Sequence, residues 1–145
     1  MVLTDIESAN KKLNAQLVGA QLDKIAVSSI EFSMCFMTQS MPIREIWVTT
    51  SGRAASSSQE EREDFFEQRG AFLSLAYSLI GNSISKIGTN EEGCLSITIG
   101  KERIVISPDE ECFEEIWSVT PDNHSPYQEY DWFVTYTDDN ELLTK

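Results

Sequence analysis

Apolar and polar positions follow two periods along this chain, and they predict helices and strands in a fixed order. Ile6, Ala9, Leu13 and Leu17 fall at helical spacing. Thr4 with Glu7 has the form of a capping box, so a first helix is expected to start at Thr4 and to stop at Gly19, a left-handed terminator. Strands are expected at residues 21–27, 30–37 and 43–50, with a tight turn at Ser28-Ser29 and a break at Met41-Pro42. Ile30, Phe32, Met34 and Phe36 alternate with Glu31, Ser33 and Cys35, the cleanest period of two in the chain. Residues 51–57 read as a loop.

A second helix is expected from Ser58 as N-cap, with Glu61 completing a capping box and Glu60, Glu63 and Asp64 suiting the positive end of the helix dipole. Phe65, Phe66, Phe72, Leu73, Ala76, Leu79 and Ile80 give it a broad apolar face, which predicts the central helix of the core, ended by Gly81. Three more strands follow at 83–89, 94–99 and 103–107. Residues 114–119 and 132–137 read as two further strands joined by a loop, and 141–145 as a fraying end.

The order of elements repeats. Leu17-Val18-Gly19-Ala20-Gln21-Leu22-Asp23-Lys24-Ile25 is echoed by Leu79-Ile80-Gly81-Asn82-Ser83-Ile84-Ser85-Lys86-Ile87, with Leu, Gly, Lys and Ile identical at matching places. A capped helix precedes each copy and an alternating strand follows it. The expected architecture is therefore one α+β domain: a duplicated α-β-β-β unit (residues 4–57 and 58–109) with antiparallel strands, two main helices and a C-terminal hairpin-like extension (110–145). Gly19 and Gly81 should both adopt positive φ.

Composition narrows the function. At 145 residues with 41% hydrophobic content the chain can bury a core without staples. No apolar run suggests a membrane span and the first residues do not resemble a signal peptide, so the cytoplasm is the expected compartment. Cys35, Cys94 and Cys112 are odd in number and widely spaced, which points to reduced thiols rather than disulfides or a zinc site. The net charge of −13 disfavours nucleic acid and anionic membranes as direct partners and favours a basic protein. That charge is uneven: residues 1–108 hold 13 acidic and 10 basic side chains, residues 109–145 hold 11 acidic and one basic.

Motifs for catalysis are sparse. His124 is the one histidine, near Asp122, without a nucleophile elbow or a cysteine-protease motif, so it reads first as a loop residue and only second as part of an unfamiliar enzyme. Asp138-Asp139-Asn140-Glu141 lacks the spacing and glycine of a calcium loop. Phosphate-binding glycine loops and basic stripes are missing, so neither cofactor nor metal is expected. What remains is the tail, where aromatic anchors stand among carboxylates, the composition of a protein-binding hot spot. The candidate partner-binding residues are Glu114, Glu115, Trp117, Asp122, Tyr127, Glu129, Tyr130 and Asp131. The strand aromatics Trp132 and Tyr136 could equally be a buried sheet face.

With its small acidic α+β layout and phrases such as Glu115-Ile116-Trp117-Ser118-Val119 and Asp131-Trp132-Phe133-Val134, the chain resembles the immunity proteins of bacterial contact-dependent growth inhibition and related polymorphic toxin systems. The resemblance covers the whole chain in layout and carries no signature motif. It implies a non-enzymatic protein that binds a cognate toxin, often a nuclease with a basic surface, and blocks it. The alternative with the same charge is an acidic DNA mimic or regulatory adaptor that binds a DNA-binding protein.

Overall fold

The computed structural model of the chain describes residues 2–3, 5–109, 115–122 and 129–145. In chain order these form β1 (Val2–Leu3), α1 (Ile6–Leu17), β2 (Gln21–Val27), β3 (Phe32–Met37), β4 (Glu45–Thr50), β5 (Arg53–Ser56), α2 (Phe65–Ser78), β6 (Ile84–Thr89), β7 (Leu95–Ile99), β8 (Glu102–Ser107), β9 (Glu115–Pro121), β10 (Val134–Thr137) and β11 (Leu142–Thr144). The strands make a seven-stranded sheet in the order β1-β11-β10-β9-β4-β3-β2 and a four-stranded sheet in the order β5-β8-β7-β6. Every pairing is antiparallel, and the whole is one α+β domain.

Both helices start on an aspartate. Asp5 accepts from the Ser8 N–H at 2.7 Å and Asp64 from the Glu67 N–H at 2.9 Å. The first cap is thus one residue beyond the expected Thr4, which lies outside the described residues. The second is six beyond the expected Ser58. The segment before α2 is held instead by the four-stranded sheet: Ser57 N–H donates to the Arg103 carbonyl, Ser57 Oγ accepts from the Arg103 N–H, and Glu61 pairs with Arg53 at 2.7 Å. The expected loop at 51–57 contains β5, because Arg53–Ser56 aligns with Ile104–Ser107 and extends the sheet.

The glycine expectation holds, with φ of 90° at Gly19 and 98° at Gly81. The two segments that share a wording also exchange hydrogen bonds. Gly19 N–H donates to the Ile84 carbonyl at 2.8 Å and Gly81 N–H to the Leu22 carbonyl at 2.9 Å. Ile84 N–H donates to Ala20 and Leu22 N–H to Asn82, about an isolated bridge between Gln21 and Ser83. Each strand then carries a bulge at the matching place, between Leu22 and Lys24 and between Ile84 and Lys86. Away from this join the halves diverge, since β2–β4 enter the large sheet and β6–β8 the small one.

One core receives residues from both sheets and both helices. Phe32, Met34 and Phe36 of β3, Ile46 and Val48 of β4, and Trp117 and Val119 of β9 meet Leu95, Ile97, Ile104 and Ile106 of the small sheet. The tail is no appendage: β9 lies between β4 and β10, at the middle of the large sheet. Residues 141–145 do not fray as expected, because Leu142–Thr144 pairs with β10 and β1 and Lys145 N–H donates to the Phe133 carbonyl at 3.1 Å.

The apolar face expected of α2 is only partly inward. Phe72 and Ala76 are fully buried, whereas Phe66 is 59% and Ile80 39% exposed. Gln68 and Arg69 take buried places beside them. Gln68 donates to the Ala54 carbonyl at 2.7 Å, and Arg69 donates to the carbonyls of Ile30 at 3.0 Å and Ser51 at 3.1 Å while its guanidinium stands over Phe65. α2 is therefore fastened to two loops through their carbonyls, not by an apolar stripe alone.

Candidate functional site

Alternation along the strands of the large sheet gives it two unlike faces. Phe32, Met34, Val48, Trp117 and Val119 point to the core, so Ser33, Thr49 and Ser118 point away from it. Register carries that outward row onward: Ser33 opposes Thr49, Thr49 opposes Ser118, Ser118 opposes Thr135 and Thr135 opposes Leu143. Four hydroxyls thus cross four neighbouring strands. Ser33 Oγ and Thr49 Oγ1 bond each other at 2.8 Å, and Thr135, at the far end of the row, is 6% exposed.

A groove of about 560 Å³ runs over this row. At one end lie Glu31, just before β3, Glu115, the first residue of β9, and Thr137, the last of β10. At the other lie Thr120, Tyr130 and Phe133. Both glutamates are exposed, and among the described residues the groove's lining includes no lysine, arginine or histidine. Polar acceptors, two aromatic rings and negative charge converge here, the chemistry of a surface that receives a cationic, hydrogen-bond-donating group.

The next outward row is built for structure. Cys35 opposes Trp47, which opposes Thr120. Lys24 bonds Glu45 at 3.1 Å and lies 5.5 Å over the Trp47 ring. The hydrogen bond to Glu45, and then its charge, raise the Lys24 pKa. Burial first, and the Glu45 charge second, push the Cys35 thiol up to about 12, so it stays protonated at neutral pH and is a poor nucleophile. Burial and then the Glu92 charge raise Cys94 as well.

The structure divides the residues expected from sequence. Glu115 and Tyr130 meet in the groove. Asp122 is exposed just past β9, with its backbone N–H on the Glu45 carbonyl at 2.9 Å; Glu129, also exposed, pairs with Lys145 at 3.2 Å; Asp131 is exposed. Trp117 is a correction. It is fully buried, donates from Nε1 to the Gly93 carbonyl at 2.9 Å and stacks on Tyr136 at 6.2 Å, because its register puts it on the core side with Val119. A side chain so enclosed offers no surface to a partner. Glu114, Tyr127 and His124 lie outside the described residues. Glu31, Thr49, Phe133 and Thr135 were not expected. The alternation of Ser118 and Thr120 against Trp117 and Val119 signals a polar outer face, but nothing local says that β4 lies beside it.

Among the described residues no cluster of three or more His, Cys, Asp or Glu side chains could hold a metal ion, and no helix is long and apolar enough to cross a membrane. Compared with known protein families, curated proteins and solved structures, the chain matches none of them.

Proposed function

We propose that this chain is a non-enzymatic inhibitory binding protein of the immunity type, which neutralises a basic toxin, a nuclease foremost, by covering the toxin with the outer face of its seven-stranded sheet. The observation that supports this reading most is the groove on that face, where Glu31 and Glu115 stand at one end of a hydroxyl-lined floor and none of the described lining residues is basic. Asp122, Glu129 and Asp131 are exposed on the same terminal quarter of the chain and extend the negative field. A nuclease presents cationic surface to its phosphate substrate, and an acidic inhibitor can occupy that surface while its field speeds encounter. Cytoplasmic residence is part of the proposal and agrees with Cys35 and Cys94 being free thiols.

The test has two steps. Tagged protein is used to capture partners under a salt gradient, and each basic candidate is expressed alone and with the chain; the reading expects one that is toxic alone and silent in company. Association with that toxin is then followed by stopped flow for the wild type and for Glu31→Lys/Glu115→Lys/Asp122→Lys/Glu129→Lys. The expected loss in association rate is about tenfold or more at low salt, shrinking as salt rises. A captured partner that is harmless alone and binds DNA favours the adaptor reading, and rates indifferent to salt and to charge reversal exclude electrostatic capture.

A further inference from the structure

We propose that this chain self-associates through the outward side of α2, which packs antiparallel against α2 of a second copy about a two-fold axis. The proposal stands apart from the inhibitory reading, because it uses residues of the helix and none of the groove.

α2 carries apolar residues on two sides. Phe72, Ala76 and Leu79 turn inward and are buried. A second set, Phe66, Gly70, Leu73, Tyr77 and Ile80, recurs at spacings of four, three, four and three, the period of a coiled-coil seam. Phe66 and Ile80 are exposed, Tyr77 is 75% exposed, and Leu73 is half-buried at the border of the core. A Cβ on Gly70 would meet no other element within 4 Å among the described residues.

Charge says what covers this stripe. Sixteen consecutive residues, Gly70 to Ser85, carry no charge, the longest such run in a chain of net charge −13. A cationic partner finds no electrostatic attraction there. Two copies of so acidic a chain repel one another, so an uncharged apolar stripe is the surface on which they can meet. Direction follows from the same argument. Glu60, Glu61, Glu63, Asp64 and Glu67 cluster at the start of α2. A parallel pair would set two such clusters side by side, whereas an antiparallel pair holds them apart by about 21 Å, the length of a 14-residue helix.

The stripe is self-complementary in that direction. With the axis level with Ala71 and Phe72, Leu73 of each copy faces Gly70 of the other, large against small, and Phe66 faces Tyr77. Arg69 holds the Ile30 carbonyl to the same helix, so the exposed Val27 and Ile30 add apolar surface near its first turns. A standard interface covers about 800 Å² per copy, roughly a tenth of the 8222 Å² surface of this chain. One stripe with two flanking residues covers less, so association is expected in the range of about 10–100 μM.

Sedimentation velocity of the full chain between about 1 μM and about 300 μM tests this. The wild type is expected to pass from monomer to dimer over that range. Raising sodium chloride from about 50 mM to about 300 mM should strengthen association severalfold, the opposite of capture of a cationic partner. Phe66→Glu and Tyr77→Glu, both at exposed positions, should each weaken association about tenfold or more. Gly70→Leu separates specific packing from general stickiness. It adds apolar surface in open space but fills the place taken by Leu73 of the other copy, so association should fall about tenfold. Circular dichroism of each variant shows that it is folded. In an oxidised mixture of Phe66→Cys and Tyr77→Cys, mass spectrometry should find cross-links chiefly between positions 66 and 77. A wild type that stays monomeric at the highest concentration, a dimer indifferent to both glutamate variants, stronger association by Gly70→Leu, or cross-links chiefly between like positions would each overturn the assignment.

Discussion

Single residues carry much of the specificity of this fold, and Gly93 shows how. It precedes β7 with φ of 79°, a conformation L side chains rarely adopt, and its carbonyl accepts from Trp117 Nε1. A Cβ built there would overlap the ring of Tyr136, which is stacked on the same tryptophan. Gly93→Ala is therefore expected to destabilise the protein by roughly 2–4 kcal/mol, from backbone strain and overpacking together. Urea unfolding followed by tryptophan fluorescence measures this, and a midpoint equal to wild type would mean that the turn relaxes without loss. Trp117 itself marks the boundary of residue-scale reading. Its aromatic character in an acidic stretch suggests a hot spot, yet pairing with β4 and β10 turns it inward. Composition reports which residues are present near a surface, and register decides which face they take.

At the scale of elements, the interesting contact lies between α1 and the free edge of β6. An unpaired strand edge exposes backbone donors and acceptors that invite other chains. Asn10 Nδ2 donates to the Thr89 carbonyl at 3.2 Å and Asn10 Oδ1 accepts the Thr89 N–H at 2.7 Å, while Asn14 Nδ2 donates to the Ile87 carbonyl at 3.0 Å. Two asparagines four apart on one helix thus stand in for a neighbouring strand. Asn10→Ala is expected to cost about 1–3 kcal/mol, because Thr89 is buried and would keep an unsatisfied N–H and carbonyl. Native-state hydrogen exchange at the Thr89 amide should quicken by more than at Ile97, in the middle of β7. Equal acceleration at both would mean a global loss of stability and not an opened edge. The helix periodicity through Ile6, Ala9, Leu13 and Leu17 was visible beforehand; the use of the polar positions between them was not, since it depends on a strand more than seventy residues away.

For the molecule as a whole, charge is the dominant unbalanced quantity. A net charge of −13 is offset by few ion pairs among the described residues: Lys24–Glu45, Arg53–Glu61 and Lys145–Glu129, all at least partly exposed and each worth little. Self-repulsion should therefore reduce stability at low ionic strength, and screening should relieve it. The melting temperature is expected to rise by several degrees between about 10 mM and about 300 mM sodium chloride, where the screening length falls severalfold. A melting temperature that falls with salt would show that attractive pairs outweigh the repulsion. The same field that weakens the isolated protein favours a cationic partner, so binding such a partner should stabilise it further.

The chain by itself determined its elements of strong period: both helices, the two glycine stops with positive φ, and strands whose apolar residues alternate, together with the acidic tail and the α+β class. These are set by interactions within a few residues, where side-chain period and backbone preference act directly. It misplaced the start of α2, hid β5 inside a serine-rich loop and took the last residues for a fraying end, because each of those is held by partners distant in sequence. Tertiary structure alone decided that β9 joins β4 to β10, and so brought Glu31, from the first third of the chain, into one groove with Glu115 and Thr135. Strand pairing is non-local: its free energy comes from neighbours whose order along the chain does not prescribe their order in the sheet. A site assembled across several strands exists only once that order is chosen.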